Sequence, residues 1–225
     1  MKFEEFYNKY FMEQKSDFYH FSKEGFSRMK RSIDSLHDYN HIENLFGLLD
    51  EFLKKHKKIK NRLDLKAVFL AVCWHDGWKA KHDPKTVGSI IYNQAMEGIF
   101  ASQLFKKESK KYAVDKSTIE KASYAIRKHS SLQFLKRKTL ESKVLKDIDK
   151  IDSVNFDRFL YAKNKNFRFH KRRHLFLINL YMTRLSRDVY NFAWTKDILR
   201  LKRKNFLERF NREVRQTNLS GRGRI

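Results

Sequence analysis

The sequence predicts an all-α protein, organised as a single helical domain. Only one Pro and 7 Gly occur among the 225 residues, whereas sheets joined by tight turns need many more of both. Apolar residues recur at spacings of three and four along most of the chain, which is typical of helices buried on one face. With 41% of its residues hydrophobic, a chain of this length buries a sizeable core. We expect a helical domain over residues 1–215 and a disordered tail over residues 216–225.

Three helices are predicted near the N-terminus. Aromatic residues at helical spacing predict the first helix over Lys2–Gln14. A second helix is expected over Phe18–Leu36, with an interruption near Gly25. Asn40 suits the N-cap of a third helix, and the basic run Lys54–Lys60 suits its C-terminal end. Between them lies an apolar stripe at i, i+3, i+4 and i+7 that consists of Ile42, Leu45, Phe46, Leu49, Phe52 and Leu53.

The middle of the chain contains its most apolar segment. Leu63–Trp78 includes the longest unbroken apolar run, Ala67–Trp74, and we expect it to form a buried central helix. A buried strand would show the same run, but the sequence offers no partner strands elsewhere. Asp83-Pro84 indicates a loop, and a further helix is expected over Thr86–Phe105.

The next helix begins at a capping signal. Ser117-Thr-Ile-Glu120 is a capping box, in which hydroxyl and carboxylate bind each other's free backbone N–H groups, and it predicts a helix to His129. Apolar spacing predicts four more helices, over Leu140–Val154, Phe156–Ala162, Arg172–Tyr190 and Thr195–Arg215. In the last of these, the residues expected to be buried are Ile198, Leu199, Leu201, Phe206 and Phe210, and those expected to share a basic face are Arg200, Arg203 and Lys204.

The chain is strongly basic. Its 50 Lys and Arg outnumber 26 Asp and Glu, for a formal net charge of +24, far beyond the magnitude of about 2–8 that keeps a small domain soluble. The excess is greatest from Tyr161 onward, where 18 basic and 4 acidic residues occur. This charge indicates either a phosphate-rich partner, such as a nucleotide, nucleic acid or a membrane surface, or simply solvated helix faces.

Several classes of protein are excluded by what the sequence lacks. A single Cys cannot form an internal disulfide, and no apolar run approaches the roughly 18 residues that cross a bilayer. The opening MKFEEFYNKYF lacks the pattern of a secretory signal. No Gly-rich phosphate loop or dinucleotide motif occurs, which argues against ATP-driven or NAD chemistry. We therefore expect a cytoplasmic protein with no transmembrane segment.

His and Asp residues on three of the predicted helices form a candidate site. His75-Asp76 ends the most apolar helix, where a carboxylate is costly unless it is paired or binds metal. His41 opens an earlier helix beside its apolar stripe, and Asp147, Asp149 and Asp152 lie among apolar residues of a later one. Imidazoles and carboxylates that converge from three helices suit a divalent transition metal. Each residue alone could instead be a core histidine or part of a solvated face.

The order H…HD…D is typical of a known family. The chain resembles the HD superfamily of metal-dependent phosphohydrolases, and most closely its members of about this length. The similar segments are Leu36-His37-Asp38-Tyr39-Asn40-His41-Ile42, the helix end Ala71–Asp76, the DxD stretch Asp147–Asp149, and an aromatic segment from Phe156 through Arg173. The resemblance runs from about residue 36 to 210, and it implies a helical bundle that binds a divalent metal ion.

The resemblance also implies roles for the matching residues. The metal ligands are expected to be His41, His75, Asp76 and Asp149, with Asp147 as the alternative to Asp149. The expected catalytic residues are Asp76, Lys79 and His129, and the expected phosphate-binding residues are His37, Lys79 and Arg127. Three of these residues have an alternative role. His37 could hydrogen-bond to a metal ligand, Lys79 could interact with a helix dipole, and His129 could cap its helix.

The implied reaction is hydrolysis of a phosphate ester or anhydride in a nucleotide or related small phosphate. The ion would lower the pKa of water and neutralise charge on the phosphoryl group, while Asp76 orients the attacking water. Nitrogen and oxygen ligands suit Mn, Fe, Co, Ni or Zn, and Mg less readily. Two other functions stay open: a nuclease-like phosphodiesterase acting on nucleic acid, and a non-catalytic basic protein that binds nucleic acid. The oligomeric state also stays open.

Overall fold

The computed structural model describes residues 1–12, 16–32, 38–82, 86–130, 136–160 and 190–220. It divides into two compact units, residues 1–149 and 150–225. The helices are α1 (Phe3–Tyr10), α2 (Asp17–Lys30), α3 (Tyr39–Lys55), α4 (Lys57–Lys60), α5 (Leu65–Trp74), α6 (Val87–Ser109), α7 (Lys116–Lys128), α8 (Leu140–Ser153) and α9 (Ala193–Ser220), with a 3₁₀ helix at Lys79–Lys81. Residues 156–160 are also helical, and no strand occurs in the described part of the chain. The prediction of an all-α fold is confirmed.

Helix α5 is the centre of the first unit. Its residues Ala67–Trp74 are all buried, and it packs against α2, α3 and α7. Rings from α1, α2, α3 and the turn after α1 surround Phe69, namely Phe3, Phe6, Tyr7, Phe11, Phe18 and Phe46. The helix ends at Trp74 and not at Trp78 as predicted, so the pair His75-Asp76 lies in the turn that follows it. The apolar run therefore anchors this pair inside the unit.

Gly25 lies inside a continuous helix. Because α2 runs unbroken from Asp17 to Lys30, the predicted interruption near Gly25 is wrong. A Cβ on Gly25 would lie 2.5 Å from Nε1 of Trp74, and this indole N–H donates a hydrogen bond of 3.1 Å to the carbonyl oxygen of Phe21. The glycine thus leaves room for the indole to pack directly on the backbone of α2.

Two predicted helix starts are corrected by the caps that form. Asp38, and not Asn40, caps α3, since its carboxylate accepts hydrogen bonds from the backbone N–H groups of Asn40 and His41 at 2.9 and 3.2 Å. Asp115 caps α7 by accepting a first-turn N–H at 2.8 Å, which places Ser117-Glu120 inside the helix. Aspartate is as good an N-cap residue as asparagine or serine. Each helix therefore begins after the aspartate that precedes the predicted cap.

Other predicted boundaries differ by a few residues. Helix α1 ends at Tyr10 and is followed by a left-handed backbone at Met12, with φ of 54°. Helix α9 continues to Ser220, into the stretch predicted as a tail. Three predicted segments lie outside the described residues: the Asp83-Pro84 loop, the last five residues of the tail, and nearly all of the helix Arg172–Tyr190. Among the described helices, none combines the length and apolar character that a bilayer-spanning helix requires.

The second unit has a small aromatic core of its own. Four rings pack together, those of Phe156, Phe159, Phe206 and Phe210. Arg209 lies over one of them and forms a two-pronged ion pair with Asp157, at 2.6 and 3.2 Å. Arg200 and Lys204 are exposed on α9, as predicted. Leu201 is 61% exposed, so the prediction that it is buried is wrong, because the position lies beside Arg200 on the outer side of the helix.

Candidate metal centre

Three buried side chains meet where α3 begins and α5 ends. His41 lies in the first turn of α3, and His75 and Asp76 follow the last residue of α5. Nε2 of His41 is 3.1 Å from Nε2 of His75 and 3.5 Å from Oδ2 of Asp76. Nε2 of His75 is 3.2 Å from the same carboxylate oxygen. The structure thus brings together three of the four residues predicted as metal ligands, each no more than 2% exposed.

The donor atoms of these side chains have the spacing of ligands to one ion. Bonds of about 2.0–2.2 Å place two ligand atoms about 2.8–3.6 Å apart for right-angled to tetrahedral coordination, and the observed separations are 3.1–3.5 Å. Nδ1 of His75 donates to the carbonyl oxygen of Val72 at 3.0 Å. This bond orients the ring and leaves the Nε2 lone pair facing the group, as in most metal-binding histidines. The residues therefore fit a divalent transition-metal ion.

Helix α8 adds a second carboxylate. Oδ1 of Asp149 is 3.7 Å from Nε2 of His41, and its side chain keeps 20% of its surface exposed. Burial raises the pKa of Asp149, but Lys146 and the nearby histidines outweigh it and hold that pKa well below its usual range. The alternative ligand, Asp147, is also buried, but two positions earlier on α8 it points about 200° away from Asp149. Asp149 is therefore the one of the two that lies against His41.

A second group of buried side chains shares Asp76 with the first. His129, at the end of α7, lies beside the other oxygen of the carboxylate, Oδ1, and Glu97 of α6 lies beside His129. Nε2 of His129 is 3.7 Å from Oδ1 of Asp76 and 3.7 Å from Oε1 of Glu97. The ammonium of Lys79 lies between the carboxylates, 3.2 Å from Asp76 and 2.6 Å from Glu97. Asp76, Glu97 and His129, like the first three residues, are close enough together to hold an ion.

The approach of α6 to α7 depends on Gly98. A Cβ at this position would lie 2.6 Å from the carbonyl oxygen of Arg127, so any larger residue would push the two backbones apart. One turn further along, the hydroxyls of Ser102 and Ser123 are 2.8 Å apart. Small residues along this crossing place Glu97, the neighbour of Gly98, against the end of α7.

Glu97 is a site residue that no sequence motif identifies. Its signal was an acidic residue next to a glycine inside an otherwise apolar stretch of α6. Lys79 and His129, both predicted to be catalytic, do lie at the site. Arg127, predicted to bind phosphate, is exposed on α7 and has no side-chain contact with the site among the described residues. His37 lies outside the described residues.

Comparison of the chain with family models, with curated proteins and with solved structures found no match. The geometry of the site and the order of its motifs are therefore the basis for assigning a function.

Proposed function

We propose that the protein is a metal-dependent phosphohydrolase of the HD type, in which His41, His75, Asp76 and Asp149 hold a divalent ion. The observation that carries this proposal is the convergence of two imidazoles and two carboxylates from three separate parts of the chain. A divalent ion held by these residues would act as a Lewis acid towards a phosphoryl oxygen and would lower the pKa of a water molecule.

Asp76 has a dual role in this proposal because its two oxygens face different groups. Oδ2 lies against His41 and His75 as a ligand, whereas Oδ1 faces Lys79 and His129. A carboxylate in this position can bind the ion through one oxygen and orient a water molecule through the other. Positioning of this kind is the main contribution a protein makes to phosphoryl transfer.

His129 is the proposed acid and base. Its Nδ1 donates to the carbonyl oxygen of Ile126 at 2.6 Å, so Nε2 of the neutral ring carries a lone pair that points into the site. This atom can accept a proton from water and later deliver it to the leaving oxygen. Asp149 is the most exposed of the proposed ligands, which favours entry of substrate from its side. The large positive charge of the chain attracts anionic phosphates.

The test is a hydrolysis screen of nucleotides and small phosphate esters, each measured with Mn²⁺, Co²⁺, Ni²⁺, Zn²⁺ or Mg²⁺ and with a chelator. We expect metal-dependent release of phosphate, and a decrease in kcat of at least about 100-fold in Asp76→Asn. Asp50→Asn is the matched control, because Asp50 is also a buried carboxylate and its partners are Lys9, Tyr10 and Lys54. Turnover that survives both the chelator and Asp76→Asn would rule out the proposed centre.

A second candidate, hydrolysis or binding of nucleic acid, is favoured by the basic face of α9. Arg200 and Lys204 are exposed there, and Arg203 lies one turn away. Replacing all three with Glu should slow association with a single-stranded oligonucleotide much more than with a mononucleotide. The variant should also show a weaker salt dependence, because fewer counterions are released on binding. An equal loss for both ligands would argue against an extended nucleic-acid track.

A further inference from the structure

The group made by Asp76, Glu97 and His129 has the properties of a second cation position. All three side chains are no more than 4% exposed. Nε2 of His129 has no hydrogen-bond partner within the described part of the chain, and the bond from its Nδ1 to Ile126 keeps that atom turned into the group. An imidazole lone pair that faces two carboxylate oxygens at 3.7 Å cannot form a hydrogen bond with either of them. A cation among them would satisfy all three groups.

The ammonium of Lys79 supplies a cation at this position. Its Nζ contacts Oδ1 of Asp76 and Oε2 of Glu97, the same two carboxylates that flank His129. Lysine is rarely buried without such partners, and Lys79 is only 7% exposed. An ammonium provides one positive charge against the two carboxylates. Unlike a metal ion, it cannot be coordinated by the lone pair of His129 together with the two carboxylates.

We infer that Lys79 is a built-in replacement for a second metal ion and limits the centre to a single divalent ion. A divalent ion placed among Asp76, Glu97 and His129 would have to displace the ammonium or bear its repulsion at close range. With the charge of Lys79 removed, the same residues become the ligands of a second ion that shares Asp76 with the first. The inference rests on the proposed metal centre at His41 and His75 for the identity of that first ion.

The experiment counts Mn²⁺ ions bound by the intact protein and records their electron paramagnetic resonance spectrum. Lys79→Met removes the charge and keeps the approximate shape of the side chain, and Lys79→Arg keeps the charge. Lys81→Met is the matched control, because Lys81 lies in the same 3₁₀ helix but is exposed. Lys79→Met combined with Glu97→Gln removes both the ammonium and its principal partner, so this variant also controls for an unpaired buried carboxylate.

We expect one Mn²⁺ in the wild type, in Lys79→Arg and in Lys81→Met, and two in Lys79→Met. The two ions should show the spin coupling of metals about 3.5–4 Å apart. Adding Glu97→Gln to Lys79→Met should return the number of bound Mn²⁺ ions to one. Two ions in the wild type, or one in both the wild type and Lys79→Met, would overturn the inference. A third outcome is possible, in which the wild type binds no ion, Lys79→Met binds one, and Lys79→Met combined with Glu97→Gln binds none. This outcome would support the inference about Lys79 and would refute the centre at His41 and His75. No ion in any variant would refute both.

Discussion

Replacing Gly98 with Ala tests whether the close crossing of α6 and α7 builds the site. The added Cβ would lie 2.6 Å from the carbonyl oxygen of Arg127 and 3.1 Å from that of Ile126, whereas ordinary contact begins at 3.4 Å. Both neighbours are backbone atoms of α7, so no flexible side chain can move aside. The two helices must therefore separate by roughly 0.8 Å at this point, which forfeits packing along the crossing.

The matched control for this substitution is Gly88→Ala in the same helix. No heavy atom lies within 4 Å of a Cβ at Gly88, so this change reports only the preference of helices for Ala, worth up to about 1 kcal/mol. Gly98→Ala also gains this preference but adds an overpacking cost of about 1–3 kcal/mol. The difference between the two variants gives a lower limit to that cost, because Gly88 lies in the first turn of α6, where the preference for Ala is smaller.

Thermal unfolding followed by circular dichroism measures the difference. In a chain of this size 1 kcal/mol corresponds to about 2–4 °C, so Tm should be about 2–12 °C lower in Gly98→Ala than in Gly88→Ala. Metal-dependent hydrolysis should decrease in Gly98→Ala alone, because Glu97 moves away from His129. Equal Tm values for the two variants would refute the argument that this crossing is tight.

Three more predictions concern stability and metal affinity. Burial raises the pKa of Asp50, but hydrogen bonds from Lys54, Lys9 and Tyr10 lower it from 3.8 to about 2; the resulting stabilisation is present above the unfolded pKa and is lost as pH falls through about 2. Urea unfolding should therefore show Asp50→Asn to be less stable by about 2 kcal/mol at pH 7, with the gap closing below about pH 4. Mn²⁺ at 100 times its Kd should stabilise the wild type by about 2.7 kcal/mol, and in the same assay His75→Ala should show no such gain. Isothermal titration should show a Kd for Mn²⁺ about 10–100-fold weaker in Asp149→Asn and unchanged in Asp147→Asn.

The fold was predictable from sequence because apolar periodicity reports burial directly. The run Ala67–Trp74 identified the central helix, and α8 begins at the predicted residue. The errors have two causes, a contact with a distant part of the chain in one case and a choice between neighbouring N-cap residues in the others. Gly25 indicates a break when it is considered alone, but Trp74 makes it a packing position. Asp38 and Asp115 became caps because the chain direction before each helix brought their carboxylates to free N–H groups.

The candidate site could be predicted only as far as its residue types and order allowed. The sequence identified the candidate ligands that interrupt or flank an apolar stripe, namely His41, the pair His75-Asp76 and Asp149. Asp147 and Asp149 are two positions apart, so they point about 200° apart on an α-helix and only one can face His41; the sequence left that choice open. Glu97 depends on the spacing between α6 and α7, which follows from the contact of Gly98 with the backbone of α7.

Electrostatics links the site to the core around it. Asp76 and Glu97 are almost fully buried, and each buried ion costs several kcal/mol even after relaxation. The ammonium of Lys79 offsets part of this cost, but it is one cation between two carboxylates, and a divalent ion at His41 and His75 would supply the charge that is still missing. The aromatic cluster around Phe69 provides apolar burial that offsets the remaining cost. In the proposed metal centre, ion affinity and stability would therefore be coupled. We expect a substitution that loosens the aromatic cluster to weaken Mn²⁺ binding without contacting a ligand, because the ligands would be less well held.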